Sequence, residues 1–197
     1  MVRDPGQKAS IISASAELFA EYGYHGTGMA QLEAAVGLQR GALYHHIGSK
    51  EALLYDISSS PLLLAIEVAT AISAEIPDPV ERIRELARAH MANIAEYRPE
   101  WSVHYQDFNA LTGDRMEAIR QLRDDYEQLW RRAITEGIAA GQFEPLPAGL
   151  ALKGILGMLN YAYLWLDPNG PQKPQEIADI FCSMLLDGIR SDGIRRA

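Results

Sequence analysis

The chain has 197 residues, 48% of them apolar, a formal net charge of −8 and a single cysteine, Cys182. That length buries a substantial core and suits one large domain beside a small one, while a lone cysteine excludes an intramolecular disulfide or a thiolate metal site within one chain and reads as a small buried apolar residue. No run of about 18 uncharged apolar residues occurs, and the opening MVRDPGQKAS lacks the charged-then-apolar pattern of a secretion signal, so a cytoplasmic protein with no membrane partner is expected.

Apolar residues recur at helical spacing in nearly every segment between glycines and prolines, and strand signals are almost absent, so the expected fold class is all-α with about nine helices. A first helix carries Ile11, Ile12, Ala16, Leu18, Phe19 and Tyr22 on one face and stops at Gly23, a residue suited to a left-handed C-cap. A short helix from Met29 to Val36 ends at Gly37, and another begins near Gln39 and reaches Ile47. Ser49 then reads as the N-cap of a longer helix through Ile57, in which Pro61 is expected to cause a kink or an interruption. Val80, Ile83, Leu86, His90, Ile94 and Tyr97 form the stripe of the next helix, and Pro99 opens a short one containing Trp101, His104, Tyr105 and Phe108. Ile119, Leu122, Tyr126, Leu129 and Ala133 stripe a long helix ending around Gly141, and two more are expected from Pro147 to Leu166 and from Pro174 to Ile189. The polar tail from Ser191 is expected to fray.

The net charge alone argues against nucleic acid, but its distribution does not. In residues 1–50, Arg3, Lys8, Arg40 and Lys50 balance Asp4, Glu17, Glu21 and Glu33, so the net acidity lies beyond residue 50. A neutral module of this kind docks through groove geometry more than through bulk charge. Residues 28–47, GMAQLEAAVGLQRGALYHHI, have the parts of a helix-turn-helix: a short support helix, a glycine turn and a second short helix free to enter a groove. Met29, Leu32, Ala35 and Val36 form the buried side of the first helix, and Leu38, Leu43 and Ile47 anchor the second. Gln39, Arg40, Ala42, Tyr44 and His45 are left to face outward, and Gly41 among them belongs to the expected DNA-binding set. Gln and Arg pair bidentately with adenine or guanine edges. Tyr44, His46 and Lys50 suit phosphate contacts, and Thr27 and Met29, at the start of the support helix, complete the expected DNA-binding set. Helix, glycine turn, helix also occurs as an ordinary corner in unrelated helical proteins, so the pattern alone leaves both readings open.

The stretch GYHGTGMAQLEAAVGLQRGALYHHIGSKEALL resembles the N-terminal DNA-binding domain of the TetR family almost without gaps, and Ala16-Glu17-Leu18-Phe19 in the first helix is similar to it too. The chain departs from the pattern at Gly28, where a Ser or Thr cap is frequent, leaving Thr27 as a candidate cap. It departs also at Ala30, where a DNA-reaching cation is frequent, and at Ile47, where phenylalanine is usual. The resemblance implies a DNA-binding domain over residues 1–48 and a ligand-binding and dimerisation domain over residues 49–197. It also implies a homodimer formed by the last two helices, a near-palindromic operator, and a repressor that a small hydrophobic effector releases. Ala151, Gly154 and Gly157 leave one side of the eighth expected helix narrow, and Ile177, Phe181, Met184 and Leu185 mark a side of the ninth; plain intrachain packing would use them equally well.

The candidate effector site is an aromatic and amphipathic set: Trp101, His104, Tyr105, Phe108, Tyr126, Trp130, Met158, Asn160, Tyr161 and Trp165. Pockets between bundled helices have this composition, and so do ordinary cores. Residues 111–115, 126–130 and 154–160 are similar to a TetR subgroup linked to lipid or sterol catabolism, whose members respond to acyl-CoA thioesters. That resemblance implies a fatty-acyl or sterol-derived CoA ester with its phosphates near Arg98, Arg120 or Arg123. No Gly-rich phosphate loop and no His-x-x-x-His or Glu-x-x-His spacing occurs, so no enzyme, cofactor or metal is expected. The competing function is a ligand-binding protein of the same fold that does not bind DNA specifically.

Overall fold

The computed structural model describes residues 5–189. The tail from Ser191 lies outside the described residues. The described residues form ten α-helices and one 3-10 turn: α1 Pro5–Tyr22, α2 Met29–Val36, α3 Arg40–Ile47, α4 Lys50–Glu75, α5 Pro79–Glu96, α6 Arg98–Asp107, the turn Phe108–Ala110, α7 Gly113–Ala139, α8 Ala148–Asn160, α9 Ala162–Trp165 and α10 Pro174–Ile189. The all-α fold class read from periodicity therefore holds. The helix expected over 147–166 is two pieces, separated at Tyr161.

Two compact units share the chain, one of residues up to Leu63 with Tyr97–Leu122, the other of Leu64–Glu96 with residues from Arg123 onward. In the first, Ile11 and Phe19 of α1, Leu32 of α2, Leu43 of α3, Leu53 and Leu54 of α4 and Trp101 of α6 are buried, with α1 packed along α6. In the second, α5 packs along α10, and Ile83, Leu86, Met91, Trp130, Ile155 and Leu159 are buried. α4 and α7 contribute residues to both units.

Local chemistry sets the boundaries. Gly23 and Gly37 take the left-handed conformation at φ 76° and 67°, where a Cβ would be strained, and so end α1 and α2. The first residue beyond α2 on the N-terminal side is Gly28, not Thr27: the Gly28 N–H donates to Gln31 Oε1 at 2.7 Å, a cap supplied from inside the helix. Ser49 caps α4 as expected, its Oγ accepting the Ala52 N–H at 3.0 Å.

Pro61 does not interrupt α4, contrary to the sequence expectation; the helix runs unbroken from Lys50 to Glu75. A proline has no N–H to give the carbonyl four residues earlier. Here the Ser60 hydroxyl donates to that carbonyl, Ile57 O, at 3.2 Å, so no acceptor is stranded. Among the described residues α4 is also the one helix long and apolar enough to cross a membrane by length and composition. Part of its apolar surface is buried inside the protein, at Leu53, Leu54, Ile57, Leu62, Ala65 and Ala69.

Candidate functional site

The helix-turn-helix is held from beneath by fully buried Leu32 and Leu43, with Ile47 buried beside them. At about 100° per residue, Gly41 and Ala42 on one side and His45 on the other turn about 100–200° away from Leu43, while Gln39 and Arg40 stand at the open N-terminal end of α3. Gln39, Arg40, Gly41, Ala42 and His45 are exposed, and Tyr44, His46 and Met29 are half-buried. The Arg40 guanidinium carbon lies 5.9 Å from the Tyr44 ring centroid, at the outer limit of a cation–π contact. The exposed end of α3 thus offers one amide and one cation capable of base-edge hydrogen bonds.

Two members of the expected DNA-binding set are committed to the protein itself. Thr27 is 1% exposed, and its hydroxyl is shared between Gly23 O at 2.9 Å and Leu18 O at 3.3 Å, so the side chain braces the α1–α2 turn from within. The half-buried Lys50 donates from Nζ to the Tyr24 carbonyl and sits 4.4 Å from the Tyr24 ring centroid. Desolvation lowers its pKa, against the opposing pull of the Asp107 carboxylate. Asp107 Oδ2 in turn accepts the Tyr24 N–H at 3.1 Å. Glu51 accepts both the N–H and the hydroxyl of Thr112, at 2.8 and 2.9 Å, and pairs with Arg115 at 3.4 Å; the Thr112 bonds hold its carboxyl below the usual range. The module that carries α2 and α3 is therefore tied at two points to the corner between α6 and α7.

The ten residues expected to line an effector pocket fall into separate groups. Trp101, His104, Tyr105 and Phe108 form a ladder along α6 and the following turn, with Trp101 stacked on Tyr105 at 5.5 Å and His104 on Phe108 at 6.0 Å. His104 is buried, and its Nδ1 meets the Ser58 carbonyl of α4 at 3.0 Å. Tyr126, Trp130 and Asn160 belong to the second unit, where they gather round His90. Tyr161 and Trp165 are 61% and 46% exposed and lie apart from that cluster, and Met158 is half-buried. Of the arginines, Arg120 is exposed and Arg98 and Arg123 are half-buried.

A narrow cleft, partly open to solvent, lies among α4, α5 and α7 of the second unit. Ala65, Val68 and Ala69 form one wall, and His90, Asn93 and Tyr126 supply its polar atoms. His90 is fully used: the Tyr126 hydroxyl meets Nδ1 at 3.0 Å and Asn160 Oδ1 meets Nε2 at 2.8 Å. With Oδ1 as acceptor, Nε2 carries the proton and Nδ1 accepts from Tyr126. Burial lowers the His90 pKa to about 4, so the ring is neutral at pH 7, and burial raises that of the Tyr126 phenol. The indole N–H of Trp130 is buried without a close hydrogen-bond partner among the described residues, and its nearness to the Tyr126 oxygen partly offsets the effect of burial on that phenol. Sequence reasoning placed His90 only in a packing stripe and did not single out Asn93 or the α4 wall. The available signal was a pair of polar residues, three apart, on an otherwise apolar face of α5.

Among the described residues no group of three or more His, Cys, Asp or Glu is placed to hold a metal. Residues 11–57 match the model of bacterial regulatory proteins of the tetR family, and residues 77–189 match that of the tetracyclin repressor-like C-terminal domain. The chain is 26% identical over 201 residues to the HTH-type transcriptional repressor KstR2 of Mycolicibacterium smegmatis, covering 98% of each. Its structure is similar to that of the TetR family transcriptional regulator PfmR from Thermus thermophilus, with a TM-score of 0.84 and 33% identity over 89% of this chain and 96% of that one. It is similar as well to AibR in complex with isovaleryl coenzyme A and operator DNA, with a TM-score of 0.83 and 28% identity over 91% and 98% of the two chains. A helix-turn-helix with one side of its second helix exposed, followed by a helical domain, each within a segment that matches the family, makes this chain a member of the tetR family of bacterial transcriptional regulators, which are DNA-binding proteins and not enzymes.

Proposed function

We propose that the protein is a repressor that binds a near-palindromic operator as a homodimer and releases it when a small hydrophobic effector, an acyl-CoA thioester, binds. The observation that carries this reading is the outward set on α3, with Gln39, Arg40, Ala42 and His45 exposed above buried Leu43 and Ile47. Gln39 and Arg40 read base edges, Gly41 and Ala42 let α3 approach them closely, and Tyr44, His45 and His46 flank the phosphates. Lys50 joins them by exchanging its Tyr24 contact for a phosphate, and Thr27 and Met29 hold the approach from below. Residues 1–48 act as the DNA-binding domain and residues 49–197 as the ligand-binding and dimerisation domain, in the cytoplasm.

The homodimer is supported by a stripe on α8 and beyond: Leu150 at 66% and Tyr161 at 61% exposure flank Gly154 and Gly157, where a Cβ would meet nothing. Ile180 and Met184 add exposed apolar area on α10. Apolar surface grouped in this way marks an interface. A two-fold dimer presents two copies of α3 to half-sites about 34–36 Å apart, or a multiple of that. Support for a thioester effector comes from AibR, which is seen with isovaleryl coenzyme A and operator DNA. Differential binding worth about 1–3 kcal/mol would loosen operator DNA about 5- to 150-fold.

Fluorescence-anisotropy titration against the intergenic DNA beside the gene tests the reading, with Arg40→Ala/Tyr44→Ala as the control. Saturable binding that resists random competitor, fails in the control and weakens with an acyl-CoA is expected. Binding no tighter than to random DNA would instead favour a ligand-binding protein that keeps the fold without reading an operator, a role with which Ala30 and the committed Lys50 are compatible.

A further inference from the structure

We propose that Asp107, a carboxylate at the end of α6 and outside the helix-turn-helix, sets the affinity of the protein for DNA by holding the Lys50 ammonium back from phosphate. This role rests on the DNA contact proposed for Lys50 above, and Asp107 itself touches no DNA. Three segments meet at the site: the loop after α1 brings Tyr24, the first residue of α4 is Lys50, and the last of α6 is Asp107. Asp107 Oδ2 accepts the Tyr24 N–H at 3.1 Å, and the Tyr24 carbonyl accepts from Lys50 Nζ. One residue thus joins the acid to the base through its own backbone. Its ring covers the ammonium from 4.4 Å, with the Phe19 ring at 5.7 Å.

The charges explain why the ammonium stays there. Two aromatic faces and one carbonyl replace water incompletely, and desolvation opposes the charged form of Lys50, while the Asp107 carboxylate favours it. Asp107 stands at the C-terminal end of α6, where the helix dipole disfavours a carboxylate. Helix chemistry therefore gives no reason for an acid at this position, and the nearby cation does. The carboxylate is also held in place: the 3-10 turn follows directly, Leu111 is buried, and Glu51 accepts two bonds from Thr112 at 2.8 and 2.9 Å. One lysine has leverage in this module. Residues 5–50 contain three Lys or Arg side chains, Lys8, Arg40 and Lys50, and Lys8 pairs with Asp56 at 2.8 Å. Withholding Lys50 from phosphate removes a large share of the charge available to the DNA backbone.

Asp107→Asn removes the charge and keeps an oxygen to accept the Tyr24 N–H, so its helical circular dichroism and thermal midpoint should match the parent. Anisotropy titrations of the full chain, at salt from about 50 to 200 mM, compare the parent, Asp107→Asn, Lys50→Met and the double variant. The probes are the intergenic duplex beside the gene and a random duplex of the same length. Asp107→Asn is expected to bind both duplexes about threefold or more tightly than the parent. The slope of log affinity against log salt should steepen by up to about 0.9 for each copy whose Lys50 gains a phosphate. In the Lys50→Met background the gain should vanish, which separates release of the lysine from the mere loss of a negative charge near DNA. Unchanged affinity and slope in a folded Asp107→Asn protein, or an equal gain with and without Lys50, would overturn the proposal. Either result leaves intact a preference for the intergenic duplex, on which the operator reading stands. Conversely, equal binding of the two duplexes by the parent would count against that reading while the Asp107 effect, which is sequence-independent, persists on both.

Discussion

α3 and α5 hold their polar residues in opposite ways. In α3 the apolar residues are few and deeply buried, and Gln39, Arg40 and His45 stand outside with their hydrogen-bonding capacity unspent on the core. In α5 a broad apolar stripe is interrupted by His90, which is 1% exposed and has both ring nitrogens engaged. The first arrangement leaves recognition to a partner that brings its own acceptors and donors. The second fixes the polar groups beforehand, so that whatever enters must match a hydrogen-bonding pattern already set.

The sharpest way to break the comparison is to remove an anchor of α3. Leu43→Ala deletes a fully buried side chain and should destabilise the protein by about 2–5 kcal/mol in thermal or urea unfolding; a loss well under about 1 kcal/mol would mean that α3 is not rigidly held. Next is the pH response of α5. Unfolded His90 takes up its proton near pH 6.5, whereas the folded ring stays neutral until about pH 4. Between those values the unfolded chain binds the extra proton, so this contribution is complete above pH 6.5 and is lost as pH falls toward 4, by about 3 kcal/mol in total. The stability-versus-pH curve of His90→Gln should be flatter than the parent's across that window, and parallel curves would show that the histidine is not held neutral.

Arg40→Ala should leave stability within about 0.5 kcal/mol of the parent, as a surface change does. It should weaken operator binding by about 1–3 kcal/mol with relaxed preference at one base pair, which a competition assay with single-base operator variants would reveal. The smallest effect is a gain. Ala30→Lys restores a cation at an exposed position, and the slope of log affinity against log salt should steepen by about 0.9 if that cation reaches one phosphate. An unchanged slope would place position 30 away from the backbone of the DNA.

Helix types and most boundaries were legible because periodicity, Gly23, Gly37 and Ser49 each act locally. The break at Tyr161 was not, since 147–166 keeps a largely apolar helical pattern with no proline after Pro147. The exposed side of α3 was legible for the same local reason, whereas Thr27 and Lys50 were assigned outward although their partners, Leu18 O, Gly23 O and Tyr24 O, are backbone carbonyls that leave no trace in residue types. The aromatic residues were found, but their grouping was not, because α6 and α7 contribute rings to different clusters according to packing that no single-helix pattern encodes.

The repair at Pro61 carries one further consequence. A peptide N–H is fixed in direction by its helix, so bending the axis lengthens the bond it makes. The Ser60 hydroxyl is a rotor and follows Ile57 O through a small reorientation. α4 is therefore more compliant at this turn than at any turn closed by peptide bonds alone, and because residue 61 has no amide proton, this compliant turn is silent there in hydrogen exchange. Ser60→Ala would remove this rotor and leave the Ile57 carbonyl without its donor.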